Sequence, residues 1–170
     1  MATLHMLRHA KSSWDDPSLR DHDRPLDDRG ERAAVLMGAY MQQEGIAPDL
    51  ILCSSAQRTR QTLKGLLPYL PDTTDVRIEP RIYESGTMGL FELAAAVDDG
   101  VEDLLMIGHN PGTHMLVCNL AGSGHPDLLD AIRFKYPTAG LASIRFQGPL
   151  SSMRGGEGEL VRFAVPKKLV

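Results

Sequence analysis

Short apolar runs alternate along this chain with longer stretches in which apolar residues recur at helical spacing. The first run, Thr3 to Leu7, predicts a strand. Leu50-Ile51-Leu52-Cys53, bounded by Asp49 and Ser54-Ser55, and Leu104-Leu105-Met106-Ile107 are unbroken apolar runs, the pattern of strands covered on both faces. Val76 to Glu79 is a weaker strand. Arg29 to Glu44 carries Ala33, Val35, Leu36, Met37, Tyr40 and Met41 as a helical stripe. Asp28 and Glu31 have the spacing of an N-cap and its third helical residue, and Gly45 suits the stop. A second helix is expected from Ser55, as N-cap, to Leu70 ahead of Pro71. A short helix follows at Leu90 to Val97, and another runs from the Gly108-His109-Asn110-Pro111-Gly112 turn through Leu120. Leu141 to Phe146 and Leu160 to Val165 read as an antiparallel pair, with Gly155, Gly156 and Gly158 in a flexible connection. Strands alternating with helices predict an α/β fold, one mixed sheet sandwiched by helices in a single domain over residues 1–170.

Composition narrows this picture without changing it. At 170 residues, 42% apolar and 24% charged, the chain is of ordinary globular make-up. With aromatics at 5%, the core must come from Leu, Val, Ile, Met and Ala. The net charge of −4 lacks the broad positive field of a general nucleic-acid or anionic-membrane binder, so neither partner is expected. Cys53 and Cys118 supply no disulfide framework and no C-x-x-C zinc spacing, and both are expected as buried free thiols. The first eight residues lack the basic and apolar regions of a secretory leader, and no apolar run approaches the ~20 residues that span a bilayer. A reducing, cytoplasmic setting is the expectation.

Chemistry concentrates where three strands end. The first runs into Leu7-Arg8-His9-Ala10. The second runs into Cys53-Ser54-Ser55 and delivers Arg58 in a helix's first turn, and the third runs into Ile107-Gly108-His109. Ligands of open α/β sheets bind outside the carboxyl ends of strands, and a helix N-terminus there favours an anion. Arg58 opposes the helix dipole, a cost that a bound anion would offset. Each member also has a plain structural reading: a surface Arg-His pair, a helix-end arginine, a turn histidine. Lys11 and Ser12, close to His9, are secondary candidates for touching a substrate. The rest of the stretch from Lys11 to Asp28 reads as a solvated mixed-charge loop. His22, His114 and His125 match no motif and are expected at the surface or in packing.

Together these segments resemble a known family. Leu7-Arg8-His9-Ala10 is similar to the R-H-G/A signature of the histidine phosphatase superfamily, also called phosphoglycerate-mutase-like. Ser54-Ser55-Ala56-Gln57-Arg58-Thr59-Arg60-Gln61-Thr62 resembles its second segment, and Gly108-His109-Asn110-Pro111 its third. Arg8 to Trp14 and the closing Pro166-Lys167-Lys168-Leu169 resemble the small bacterial SixA-like phosphohistidine phosphatase branch. The resemblance implies a three-layer α/β/α sandwich around one mixed, mostly parallel sheet, and a metal-independent phosphatase that uses no cofactor. His9 would be the nucleophile, transiently phosphorylated. Arg8 and Arg58 would hold the phosphoryl oxygens, and His109 would donate to the same group. Relatives place an acid after the third strand, where Arg81-Ile82-Tyr83-Glu84-Ser85-Gly86 offers Glu84 as proton donor; its plain reading is a solvated loop residue.

The implied partner is a protein bearing phosphohistidine, or alternatively a small phosphorylated molecule hydrolysed by a phosphomonoesterase. A mutase would need a lid that excludes water, and 170 residues leave little room for one, so the site is expected to be open. The His5–His9 spacing admits a metal-dependent hydrolase, but H-E-x-x-H is absent. A phosphate-binding adaptor on the same fold would have no need of the His9 nucleophile.

Overall fold

A computed structural model describes residues 1–170. The strands are β1 (Ala2–Arg8), β2 (Leu50–Cys53), β3 (Asp75–Ile78), β4 (Asp103–Gly108), β5 (Ala121–Gly124), β6 (Leu141–Phe146) and β7 (Gly158–Ala164). The helices are α1 (Asp28–Gln43), α2 (Gln57–Leu66), α3 (Thr87–Ala95), α4 (Gly112–Leu120) and α5 (Pro126–Phe134). One seven-stranded sheet has the order β3-β2-β4-β1-β6-β7-β5. Only the β1–β6 and β6–β7 pairings are antiparallel, so β6 alone runs against the rest. The fold is the three-layer α/β/α sandwich that the resemblance implies.

Alternation along the central strands creates the layers, because successive side chains of a strand point to opposite faces. Leu4 and Met6 of β1, Leu50 and Leu52 of β2, and Leu104 and Met106 of β4 join one core with Leu90, Leu116 and Ile132 of the later helices. Leu7, Ile51, Cys53, Leu105 and Ile107 join the other with Met37 and Met41 of α1 and Leu63 and Leu66 of α2. The unbroken apolar runs are therefore double-sided, as their composition predicted.

Several boundaries differ from expectation. The cap of α1 is Asp27, whose carboxylate accepts the Gly30 N–H at 2.8 Å, and Asp28 is the first helical residue. Val35 of the expected stripe is exposed, and the buried face is Ala34, Met37, Gly38 and Met41. Gly45 does end the helix: at φ +70° it donates to the Gln42 carbonyl while Ile46 donates to that of Met41. Ser55 does not cap α2, which begins after Ala56 without a side-chain cap and ends at Leu66, with one tighter turn over Leu67–Tyr69. β5 and α5 were not foreseen; Ala-Gly-Ser-Gly carries no strand signal of its own, and β5 forms because β7 presents it with an edge. Cys53 is fully buried and Cys118 partly so, both as free thiols. No helix is long and apolar enough to cross a membrane.

Candidate active site

β2, β4 and β1 are neighbours in the sheet and all run the same way, so their carboxyl ends lie side by side. The backbone ties the tips together beyond the strands, with His9 N donating to Gly108 O at 3.0 Å and Ser54 N to Ile107 O at 3.0 Å. Arg8, His9, Arg58 and His109 converge there, and the rings of His9 and His109 lie 5.3 Å apart. His9 and Arg58 are 7% and 6% exposed.

The second segment's remaining residues explain themselves as braces. Thr62 Oγ1 donates to Arg58 O and accepts the Ala10 N–H, tying α2 to the turn that holds His9. Gln61 Oε1 accepts the Leu26 N–H at 2.6 Å, tying the same helix to the segment before α1. Gly30 lets α1 begin against that turn, since a Cβ there would lie 2.1 Å from Lys11 O.

His9 has a defined tautomer. Nδ1 lies 2.7 Å from the Ala10 carbonyl, which can only accept, so Nδ1 carries the proton and the Nε2 lone pair stays free. Burial, with Arg58, Arg8 and Arg24 nearby, pushes its pKa from 6.5 down to about 4, against the Ala10 bond that acts to raise it. His109 is pushed down to about 3, chiefly by burial and then by His9 and Arg58. Both imidazoles are neutral at neutral pH. His109 Nε2 meets Ser54 Oγ at 2.8 Å. His109 Nδ1, Arg8 Nε and Arg58 Nε are buried without partners, as is Thr113 Oγ1 at the start of α4. Buried polar atoms are rarely left unpaired, and three of these four belong to one constellation.

The segment from Lys11 to Asp28 is solvated over Trp14–Asp21, as expected of a loop, but it buries Ser12, Arg24 and Leu26 and carries partners of the site. Asp21 accepts from both ends of the Arg58 fork, through its carbonyl at 2.7 Å and Oδ2 at 3.0 Å. Arg24, 7% exposed, donates to Asp21 Oδ1 and stacks on Trp14. The Tyr83 hydroxyl donates to Asp21 Oδ2 at 2.6 Å. That phenol and the two guanidiniums hold the Asp21 carboxyl far below the usual carboxylate range. Tyr83 also stands edge-on to His109 at 5.5 Å and to His22 at 4.7 Å, and His22 Nε2 meets Ser55 Oγ. Asp21, His22, Arg24 and Tyr83 were all missed. Nothing local separates Asp21 from Asp15, Asp16 or Asp23, and His22 sits at the site rim rather than in general packing.

The secondary candidates fall elsewhere. Glu84 is exposed and bonded to none of the four central residues. Ser12 is buried and accepts from Arg24 Nη1 at 2.9 Å, which makes it a support of that arginine. Lys11 lines a cavity of about 680 Å³ with Arg29 and Lys135. His5 spends both ring nitrogens on Ser143 and Asp103, apart from His9, and no three His, Cys, Asp or Glu residues gather to hold a metal ion. His114 packs on Tyr136, and His125 caps α5.

The model for the histidine phosphatase superfamily (branch 1) matches residues 4–97. An uncharacterized protein of Mycobacterium tuberculosis is 38% identical over 163 residues, covering 95% of this chain and all of the relative. Phosphohistidine phosphatase SixA of Escherichia coli is 26% identical, covering 82% of each chain. The crystal structure of a SixA-type protein from Agrobacterium tumefaciens superposes with a TM-score of 0.82 at 29% identity, covering 97% of this chain and 98% of that one.

Proposed function

The chain belongs to the histidine phosphatase superfamily, in its SixA-like branch, and from that premise we propose that it removes the phosphoryl group of protein phosphohistidine through a covalent intermediate on His9. One observation carries the reading. His9 is buried, neutral and proton-bearing on Nδ1, with its Nε2 lone pair available among the unpartnered Arg8 Nε, Arg58 Nε and His109 Nδ1.

Nε2 attacks phosphorus in line, a new N–P bond forms, and the bond to the departing nitrogen breaks. Arg8 and Arg58 hold the equatorial oxygens by charge-assisted bonds. The phosphoryl anion favours the protonated form of His109, which then donates to the same oxygens. Water attacks the phosphorylated His9, the N–P bond breaks, and inorganic phosphate leaves with the neutral imidazole restored. A substrate imidazole already protonated on its second nitrogen departs neutral, so the first step demands no dedicated acid. This suits a Glu84 that stands exposed and outside the central constellation. No metal enters the scheme.

The test offers free phosphohistidine, a phosphohistidine peptide and an aryl phosphate to the wild type, with and without chelator, beside His9→Ala. Chelator-resistant turnover is expected, lost on the order of 10⁴-fold or more in His9→Ala. Full activity in His9→Ala removes the proposal, and loss with chelator alone transfers it to metal chemistry. Glu84→Gln separates the substrate classes. Crippling it on an alkyl phosphate while sparing phosphohistidine fits the proposal. Equal loss on both makes Glu84 an obligatory acid and favours the phosphomonoesterase reading.

A further inference from the structure

A second cationic region lies next to the first, apart from Arg8, His9, Arg58 and His109. The cavity of about 680 Å³ is lined by Lys11, Arg29, Lys135, Lys167 and Lys168, against a single carboxylate, Asp127. Four of the five lysines in the whole chain face it, the fifth being Lys64. None of its five cations joins any ion pair, although arginines elsewhere are mostly paired. In a chain of net charge −4, this is a local reversal of sign. Phe134 lines the same cavity and is 88% exposed, beside half-buried Phe163 and Val165.

The region is joined to the active site through the backbone. Lys11 follows His9 by two residues. Pro137 and Thr138, also in the cavity wall, sit between two site anchors. One is Tyr136, whose carbonyl accepts from Arg8 Nη1; the other is Ala139, whose N–H donates to the Arg8 and His9 carbonyls.

We propose that this lysine-lined cavity with Phe134 at its lip is a docking surface for an acidic, partly apolar face of the phosphorylated protein, adjacent to its phosphohistidine. The inference rests on the proposed function for the phosphohistidine and on this surface for the rest. The choice of cation argues for a protein partner over a free phosphate compound. Guanidinium grips phosphate bidentately, whereas ammonium on a flexible stem acts as a hydrated point charge. Four exposed lysines suit an extended acidic surface, where charge complementarity speeds encounter and fixes register. An exposed phenylalanine ringed by cations offers the apolar anchor that such a rim surrounds.

The probes are two phosphohistidine peptides of equal length, one flanked by Asp, Glu and a Leu, the other by Gln and Ser. The wild type should hydrolyse the acidic peptide with kcat/KM on the order of tenfold higher at low salt, the advantage shrinking as salt rises. Lys167→Glu/Lys168→Glu should erase that preference while free phosphohistidine turnover stays unchanged, and Lys135→Glu and Phe134→Ser should each reduce it. Equal treatment of the two peptides by the wild type overturns the proposal, as does a parallel loss on free phosphohistidine in the charge-reversed variant. Fluorescence anisotropy with the unphosphorylated acidic peptide gives a readout independent of turnover. Binding that weakens in Lys167→Glu/Lys168→Glu supports the surface even where no phosphohistidine compound is hydrolysed, a result that would remove the proposed activity alone. Tighter binding to phosphatidylserine vesicles or to RNA than to the acidic peptide, lost in the same variant, assigns the surface to another class of partner and overturns the proposal.

Discussion

At the carboxyl ends of β1 and β2 the positive charge is carried by arginines that are wholly or largely buried. Around the cavity beside α5 it is carried mainly by exposed, unpaired lysines. The arginines are aimed. Arg58 is gripped by the Asp21 carbonyl and carboxylate, Arg24 by Asp21 and Ser12, and Arg8 by the Tyr136 carbonyl. The lysines are aimed by nothing. Burying a guanidinium costs desolvation energy that must be offset by partners, and here Asp21 supplies them while unshared N–H groups remain. The return is a site whose donors need little reorganisation when a charged group reacts, which is how electrostatic stabilisation gains its size. The lysine surface keeps its hydration and its freedom, properties suited to attraction at a distance. Two regions of like sign are thus built for different tasks, one by holding charge still and the other by leaving it free.

The largest expected effect that bears on this contrast comes from Arg58→Ala, which should lower kcat/KM on an aryl phosphate by about 10²- to 10³-fold. A loss below about tenfold would show that the aimed guanidinium contributes little more than a free cation does. Next is pH. With the His9 pKa near 4 in place of 6.5, the neutral nucleophile persists on acidification. The kcat/KM profile, corrected for substrate ionisation, should therefore stay level from pH 7 to about 5 and decline through about 4, roughly tenfold per unit below it. An acid limb near 6.5 would mean that burial and the arginines do not act on His9. The same depression has a stability sign. The unfolded chain binds protons at His9 and His109 that the folded chain refuses, so folding stability should fall as pH drops from 6.5 towards 4. Thermal melts across that window should show the decline, and His9→Asn should make it shallower.

Smaller still is Asp21→Asn. It leaves Arg58 in place but removes the carboxylate that orients it, and roughly a tenfold loss in kcat with little change in folding is expected. Arg58→Ala on top of Asp21→Asn should then add less than it does alone, because the two act as one unit. Simple additivity would detach Asp21 from the site. The smallest effect is expected at the other region. Lys135→Glu should leave aryl phosphate turnover within about twofold of wild type, since an exposed charge beyond the first contacts is screened by solvent and salt. A large loss on so small a substrate would merge the two cationic regions into one.

Much of this protein is legible from one strand tip to the next. Apolar runs of four residues marked β2 and β4 because burial on both faces forbids polar positions, and that signal is local to the run. Gly45 marked the end of α1 because a left-handed residue there is a local requirement too. Arg8, His9, Arg58 and His109 were found by their position after such runs together with their ordered motifs, and the parallel neighbours β2, β4 and β1 bring them together. The caps were less legible. Asp27 and Asp28 are equally able to cap, and the choice falls to Asp27 because its backbone N–H is already held by Lys11 O.

What only the tertiary structure decided is the pairing of charge across distance. Asp21 meets Arg58 from 37 residues away and Tyr83 from 62, and the choice among neighbouring aspartates was made by where the chain from β1 to α1 crosses the tip of α2. The same holds for the lysines. Lys11, Lys135, Lys167 and Lys168 sit in three separate stretches of sequence, none with a run of charge long enough to signal a patch. Hydrophobic period is written into consecutive residues because each element must present one face to a core. Electrostatic partners answer to spatial separation alone, and that separation exists only once the sheet has set its strand order.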